Sequence, residues 1–202
     1  MKPLVKICGL RRVADAELAV SLGATHVGSV RAPSSPRRAS LEEARAIFDA
    51  VSGTAERVLV FKDVPLAVIV DEARTSRADA VQLYEHDDEV VRALESEGLR
   101  VYRAYRVEPG SAALPEIVPV PSDESPAVLD VGGGGSGRTF DWRLLGERAP
   151  HATFLAGGIG PNNVRKLLNH HPYGIDLATG VERAPGVKDE VKLREFFEEV
   201  SR

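Results

Sequence analysis

The sequence contains a single cysteine, Cys8, in the run Leu-Val-Lys-Ile-Cys-Gly at positions 4–9. Cys8 stands where a short apolar strand gives way to a glycine turn, which is where α/β enzymes place reacting groups. One thiol cannot form an internal disulfide or a cysteine cluster for zinc. Cys8 is therefore either a small hydrophobic core residue or a nucleophile or base.

A second candidate for proton transfer is Asp130, which ends an apolar run directly before a glycine-rich stretch. Strand alternation places Lys6 on the same face as Cys8, one layer deeper, and a buried lysine needs a partner. Candidate supporting partners interrupt other apolar runs: Gln82, Arg103, Asp176. Together these residues predict a polar barrel interior near its mouth. The alternative is a salt-bridge network that only closes the barrel.

Three glycine-rich loops follow the sixth, seventh and eighth predicted strands, at residues 132–137, 156–160 and 178–180. Backbone N–H groups at glycine turns and helix starts can bind anions, and loops after the last two strands are the usual phosphate seat of β/α barrels. The pattern indicates a phosphorylated small molecule. The alternative is that these glycines only form tight turns. The loop after strand two contains three arginines at positions 31–38, and a guanidinium there could bind a carboxylate.

The elements that must position these residues alternate between short strands and longer helical segments. Strands are predicted at residues 4–7, 25–30, 57–61, 78–83, 99–104, 127–130, 152–156 and 173–177. Helices are predicted at residues 13–22, 41–51, 66–74, 87–97, 140–145, 161–170 and 189–200. Residues 108–123 contain four prolines and predict a short helical turn at most.

Strict alternation of strand and helix favours parallel strands with right-handed crossovers, and eight units of about 25 residues favour a closed (β/α)8 barrel. We therefore predict a compact α/β fold, one TIM-barrel domain over residues 1–202, with a degenerate helix after strand five. Ser40 and Glu43 form a capping-box pattern at the start of the second helix.

Composition excludes several classes of partner. The chain has 202 residues, a net charge of -4, 43% hydrophobic and 28% charged residues, as in an ordinary globular protein. Its charge favours neither nucleic acid nor an anionic membrane, and no apolar run is long enough to span a bilayer. We expect a cytoplasmic protein.

The ordered motifs resemble those of the phosphoribosylanthranilate isomerase family of tryptophan biosynthesis, nearly from end to end. They are Lys-Ile-Cys-Gly at 6–9, Ala-Pro-Ser-Ser-Pro-Arg at 32–37, Val-Gln-Leu at 81–83, Gly-Gly-Ser-Gly-Arg-Thr-Phe-Asp-Trp at 134–142, Ala-Gly-Gly-Ile at 156–159, Gly-Val-Glu at 180–182 and Pro-Gly-Val-Lys-Asp at 185–189. The order and spacing of these pieces carry the resemblance.

The resemblance implies an Amadori rearrangement of N-(5-phosphoribosyl)anthranilate to a 1-deoxyribulose 5-phosphate. Asp130 would protonate the ring oxygen, and Cys8 would remove the C2 proton. Arg37 would bind the anthranilate carboxylate. The phosphate would lie on the glycine loops, at Gly134, Gly135, Gly157, Gly158, Ala178, Thr179 and Gly180. Neither a metal ion nor an organic cofactor is implied.

At six positions by the expected mouth the chain departs from the family pattern. Ser29 and Arg31 stand where aromatic residues are common, and Tyr84 and Glu85 replace a His-Gly pair. Ala178 and Thr179 replace a Ser-Ser pair. These changes bear on substrate affinity or breadth rather than on reaction class.

Two alternatives stay open. One is the related histidine-pathway isomerase, which uses an aspartate where this chain has Cys8. The other is a non-catalytic barrel that binds a phosphorylated metabolite. The sequence leaves open whether the chain is a monomer or a homodimer.

Overall fold

The computed structural model, which describes residues 2–84, 87–131 and 137–202, is a closed barrel of eight parallel strands. The strands are β1 (Leu4–Ile7), β2 (His26–Val30), β3 (Glu56–Phe61), β4 (Ala80–Leu83), β5 (Arg100–Val107), β6 (Ala127–Val131), β7 (Thr153–Leu155) and β8 (Gly174–Leu177). Each strand pairs with the next, and β1 pairs with β8 to close the barrel. The predicted (β/α)8 barrel is confirmed.

The helices are α1 (Val13–Leu22), α2 (Leu41–Ala50), α3 (Leu66–Ser76), α4 (Asp88–Ser96), α5 (Val164–Leu168) and α6 (Glu190–Ser201). Short 3-10 helices lie at Trp142–Leu145 and Thr179–Val181. The predicted capping box is present at α2, where Ser40 Oγ accepts from the Glu43 amide and the Glu43 carboxylate accepts from the Ser40 amide. No helix among the described residues is both long and apolar enough to cross a lipid bilayer.

Among the described residues, the segments that follow β5, β6 and β7 form little helix. Residues 108–126 are all described and contain no helix, as predicted after strand five. Helix α5 is shorter than the predicted segment, because the side chain of Asn163 accepts a hydrogen bond from the Gly160 amide and holds the preceding residues in turns. After β6, the described residues form the 3-10 helix Trp142–Leu145 where a helix is predicted over residues 140–145.

Apolar residues of the strands divide between two packing regions. Val5 and Ile7 on β1 pack outward against the helices, within the large hydrophobic cluster. Tyr102 and Phe154 belong to a separate cluster that fills the barrel interior, with their ring centroids 5.7 Å apart. Because side chains alternate along a strand, the outward position of Val5 and Ile7 sends Lys6 inward.

A small antiparallel hairpin of β9 (Glu182–Ala184) and β10 (Val187–Lys188) follows β8 and precedes α6. The Lys188 amide donates to Asp15 Oδ2 of α1 at 3.0 Å. The hairpin is therefore fastened to the first helix, close to the loop that carries Cys8.

Candidate active site

A cavity of about 220 Å³ opens at the carboxyl ends of the barrel strands. Its lining includes the sequence-predicted residues Cys8, Arg37, Asp130, Gly157, Gly158, Asp176, Ala178, Thr179 and Gly180. Gly134 and Gly135 lie outside the described residues. The cavity thus brings together the thiol, two carboxyl groups and two of the three predicted glycine loops.

Lys6 lies at the centre of the barrel, fully buried below the cavity. Its ammonium donates to Asp176 Oδ2 at 2.8 Å and to Gln82 Oε1 at 2.9 Å, so the predicted partners on β4 and β8 are present. Burial alone would lower the pKa of Lys6, but interactions with Asp176 and, to a smaller extent, Cys8 together outweigh burial, and the pKa is raised. Lys6 is therefore cationic at neutral pH.

Cys8 follows β1 and lies at the cavity wall above Lys6. Gly28 on β2 makes room for both residues, since a Cβ there would lie 3.0 Å from Cys8 Sγ and 3.3 Å from Lys6 Cε. Burial raises the pKa of the Cys8 thiol, whereas the positive charge of Lys6 acts to lower it. The net direction is upward, so the resting group is a thiol.

Asp130 lies on β6 with its carboxylate buried at the cavity. Burial raises the pKa of Asp130 to about 6, the hydrogen bond from Tyr84 acts against that rise, and the negative charge of Asp176 adds to it. Tyr84 donates its hydroxyl to Asp130 Oδ2 at 2.7 Å. Asp130 therefore holds a proton at a pH where an exposed aspartate would have lost it.

The glycine loops after β7 and β8 approach each other and the loop before Trp142 so closely that side chains are excluded. A Cβ at Gly158, which has φ of 58°, would lie 2.7 Å from the Gly137 carbonyl oxygen. A Cβ at Gly180 would overlap the Ile159 carbonyl oxygen. Backbone therefore forms this wall of the cavity, a surface well suited to an anion.

Arg37 reaches the cavity from the loop after β2 and is held in a fixed orientation. Its Nε and Nη2 atoms donate to the Glu182 carboxylate at 3.0 and 2.8 Å, and Nη2 also donates to Thr179 Oγ1 at 3.2 Å. The guanidinium is thus anchored from one side by the β9–β10 hairpin, and its position does not depend on a ligand.

Arg103 was expected in the polar interior, and that expectation is wrong. Its neighbours Tyr102 and Ala104 point into the barrel, so Arg103 lies on the outer face of β5. Its Nη1 atom donates to Ser125 Oγ at 2.7 Å. Arg103 therefore contributes to the contact between β5 and the segment before β6.

Two of the six departures from the family pattern also lie away from the cavity. Ser29 points outward and donates to the Leu10 carbonyl at 3.1 Å. Arg31 pairs with Glu72 of α3 at 2.6 Å. Tyr84, Ala178 and Thr179 do line the cavity, and Glu85 lies outside the described residues. The expected effect on substrate binding therefore rests, among the described positions, on these three residues.

Sequence reasoning missed two buried charged residues beside the thiol, Glu182 and Lys188. Both lie in motifs that carry the family resemblance, but their contact with the first loop spans 180 positions of chain, from Lys188 to Cys8. It also missed Lys62, which follows β3 and lines the cavity. Among the described residues, no group of three His, Cys, Asp or Glu side chains is placed to bind a metal ion.

The fold and the site define an enzyme of the (β/α)8-barrel class, with a thiol and carboxyl groups at the carboxyl ends of the strands and a cavity wall formed by backbone. The sequence profile of the N-(5'-phosphoribosyl)anthranilate isomerase family matches residues 5–199. The chain belongs to this family.

Individual relatives agree over the whole length. N-(5'-phosphoribosyl)anthranilate isomerase of Pelobacter propionicus is 38% identical, over 96% of this chain and 93% of that protein. The crystal structure of the phosphoribosylanthranilate isomerase of Thermus thermophilus superposes with a TM-score of 0.86 at 37% identity, covering 98% of both chains. A crystal structure of the isomerase in complex with reduced 1-(o-carboxyphenylamino)-1-deoxyribulose 5-phosphate has a TM-score of 0.80 at 30% identity, again covering 98% of both chains.

Proposed function

We propose that the protein isomerises N-(5'-phosphoribosyl)anthranilate to 1-(2-carboxyphenylamino)-1-deoxyribulose 5-phosphate, a step of tryptophan biosynthesis. The observation that carries this proposal is that Cys8 and Asp130 line the same cavity as the glycine loops after β7 and β8. The relative that holds a reduced form of this product has the same fold over 98% of its length. A phosphorylated small molecule is therefore the substrate class.

Asp130 serves as the general acid. It donates its proton to the ring oxygen of the ribose, the ring opens, and a Schiff base forms between C1 and the anthranilate nitrogen. The role requires a carboxyl that keeps its proton near neutrality, and burial raises the pKa of Asp130 to about 6. Tyr84, which donates to the same carboxylate, limits that rise and orients the group.

Cys8 serves as the general base. Its thiolate removes the C2 proton of the Schiff base, which gives an enolamine that tautomerises to the ketose product. Burial raises the pKa of the thiol, so the reactive state, with Asp130 protonated and Cys8 ionised, is the minor of two tautomers. Positive charge near the thiol increases its population. Lys6, Gln82 and Asp176 support the thiol from below as one hydrogen-bonded group.

The two anionic ends of the substrate bind to different groups of the cavity. The phosphate lies on the backbone-lined wall, formed by Gly157, Gly158, Ala178, Thr179 and Gly180. Arg37 binds the anthranilate carboxylate, because Glu182 holds its guanidinium at the cavity without any ligand. Gly134 and Gly135 remain part of the proposed phosphate site.

The whole chain is proposed to act as one barrel domain, in the cytoplasm with its pathway, as a monomer or a homodimer. It takes a small phosphosugar as its partner and needs no cofactor.

Turnover is tested by following anthranilate fluorescence as the substrate is consumed by the parent, Cys8→Ala and Asp130→Asn. Each variant should lose about 10²- to 10⁴-fold in kcat. Arg194→Met, which removes an exposed ion pair on α6, serves as the control and should match the parent. Full activity in either active-site variant would refute the mechanism. A parent that turns over only the histidine-pathway aminoimidazole substrate, or neither substrate, would refute the assignment.

A further inference from the structure

Lys188 is a second buried lysine beside the thiol, and the proposed mechanism gives it no task. It is 3% exposed, and its ammonium donates to three acceptors. These are the Cys8 carbonyl at 2.6 Å, Glu182 Oε1 at 3.0 Å and the Ala178 carbonyl at 3.3 Å. One side chain thus ties the loop after β1 to the loop after β8.

These contacts fix the backbone on which the thiol is mounted. The Cys8 amide donates to the Leu177 carbonyl at 2.7 Å, and the Cys8 carbonyl accepts from Lys188. The residue therefore has both of its backbone polar groups bonded to the final strand and hairpin of the barrel. Because the reacting atom must be held to within a fraction of an ångström, such a clamp favours proton abstraction.

We propose that Lys188 is a positioning residue for the isomerisation, one that clamps the Cys8 backbone and supplies positive charge that favours the thiolate. The inference rests on the proposed role of Cys8 as the base. Lys188 acts through Cys8 and is not among the residues that line the cavity.

The groups that act electrostatically on Cys8 lie on β1, β8 and β10, in the loop after β2 and directly after β4. Some raise the pKa of the thiol and others lower it. Burial raises the pKa of the thiol, Lys6 lowers it, Asp176 raises it and Lys188 lowers it. Arg37 and Tyr84 also interact electrostatically with Cys8. Lys188 is the cation that approaches from the hairpin, whereas Lys6 approaches from within the barrel and is neutralised by Asp176.

The Glu182 carboxylate lies between two cations. It accepts from Lys188 and from Arg37, and its pKa is held below the ordinary value despite burial. Burial lowers the pKa of Lys188, and the Glu182 carboxylate is the main influence that acts against this fall. Glu182 therefore keeps a positive charge on Lys188 beside Cys8.

The test is the pH dependence of alkylation of the full-length protein by iodoacetamide, without substrate. Since Cys8 is the sole cysteine, the rate reports one thiol. Lys188→Met should raise the thiol pKa by about one pH unit or more. At pH 8 that corresponds to an alkylation rate about tenfold lower. Lys188→Arg, which keeps the charge, should restore most of the rate.

The matched control is Lys192→Met. Lys192 also donates from its ammonium to a backbone carbonyl of the hairpin, that of Glu182 at 2.7 Å, and it is not one of the main charges that shift the pKa of the thiol. Its alkylation profile should superimpose on that of the parent. A Lys188→Met profile that also superimposes on the parent would overturn the proposal.

A second variant keeps the proposal testable if Lys188→Met does not fold. Lys188→Gln removes the charge and keeps an NH₂ group that can donate to the backbone carbonyls, and it should also raise the thiol pKa. A thiol pKa in Lys188→Gln that equals that of the parent, or lies below it, would refute the role of Lys188. Failure of the isomerase assignment appears separately, as absent turnover by the parent in the fluorescence assay.

Discussion

Replacing Asp130 with asparagine should make the protein more stable at neutral pH while it lowers turnover. Asp130 is 2% exposed, and burial raises its pKa to about 6 from an ordinary value of 3.8. The folded state therefore holds the proton more tightly than the unfolded chain does. Stability contributed by this group is present at low pH, declines as the pH rises from 3.8 to about 6, and is lost above that.

The size of the effect follows from the difference between the two pKa values. Each pH unit of difference corresponds to about 1.4 kcal/mol, so an ionised Asp130 costs the fold about 3 kcal/mol at pH 8. Asparagine carries no charge and keeps an oxygen that can accept from the Tyr84 hydroxyl at the 2.7 Å position. Imperfect pairing of its NH₂ group reduces the net gain, and we expect about 1 to 3 kcal/mol.

Urea unfolding of the parent and Asp130→Asn at pH 8 and at pH 4 measures this gain. The variant should be more stable at pH 8, and the difference should shrink towards zero at pH 4. The control is Asp79→Asn, because hydrogen bonds from Arg57 hold the pKa of Asp79 below its ordinary value despite partial burial. That variant should lose stability at pH 8. A gain for Asp130→Asn of equal size at both pH values, or a loss at pH 8, would refute the reasoning.

Three further changes probe the remainder of the site. Lys6→Met should lower the free energy of unfolding by about 3 to 5 kcal/mol in chemical denaturation, since it leaves Asp176 buried without its cation. Adding Asp176→Asn should recover part of that loss. A loss below about 1 kcal/mol in Lys6→Met would contradict this reasoning. Tyr84→Phe removes a donor that favours the ionised carboxylate, so the pKa of Asp130 seen in the pH profile of kcat/KM should rise from about 6. An acidic limb at the same pH as in the parent would contradict this prediction. Gly180→Ala should raise KM by about tenfold or more, because the added Cβ overlaps the Ile159 carbonyl oxygen and displaces the backbone-lined wall proposed to bind phosphate. An unchanged KM would show that this wall does not bind the phosphate.

The features predictable from sequence are those that depend on neighbours in the chain. Strand β1 has the predicted bounds, and its alternation correctly places Lys6 inside and Ile7 outside. The capping box at Ser40 is also local, since its two hydrogen bonds join residues three positions apart. Such patterns are visible because the periodicity of a strand or helix acts within a few residues.

The face occupied by Arg103 could not be read in the same way. Strand β5 has the sequence Arg-Val-Tyr-Arg-Ala-Tyr-Arg-Val, in which both alternating sets mix apolar residues with polar or charged ones. The phase is decided by the rings of Tyr102 and Phe154, which pack together inside the barrel. That contact joins two strands separated in sequence, so nothing within β5 determines which way Arg103 points.

The clamp between Lys188 and Cys8 has a consequence for how the protein is made. Lys188 lies 180 positions after Cys8, and β1 also pairs with β8. Almost the whole polypeptide must therefore be synthesised before β1 can form its final contacts. During synthesis, the thiol therefore stays outside its finished surroundings until the hairpin leaves the ribosome. The proton transfer proposed for Cys8 thus requires the closed barrel, and in a nascent chain that lacks the hairpin the same residue is an ordinary cysteine.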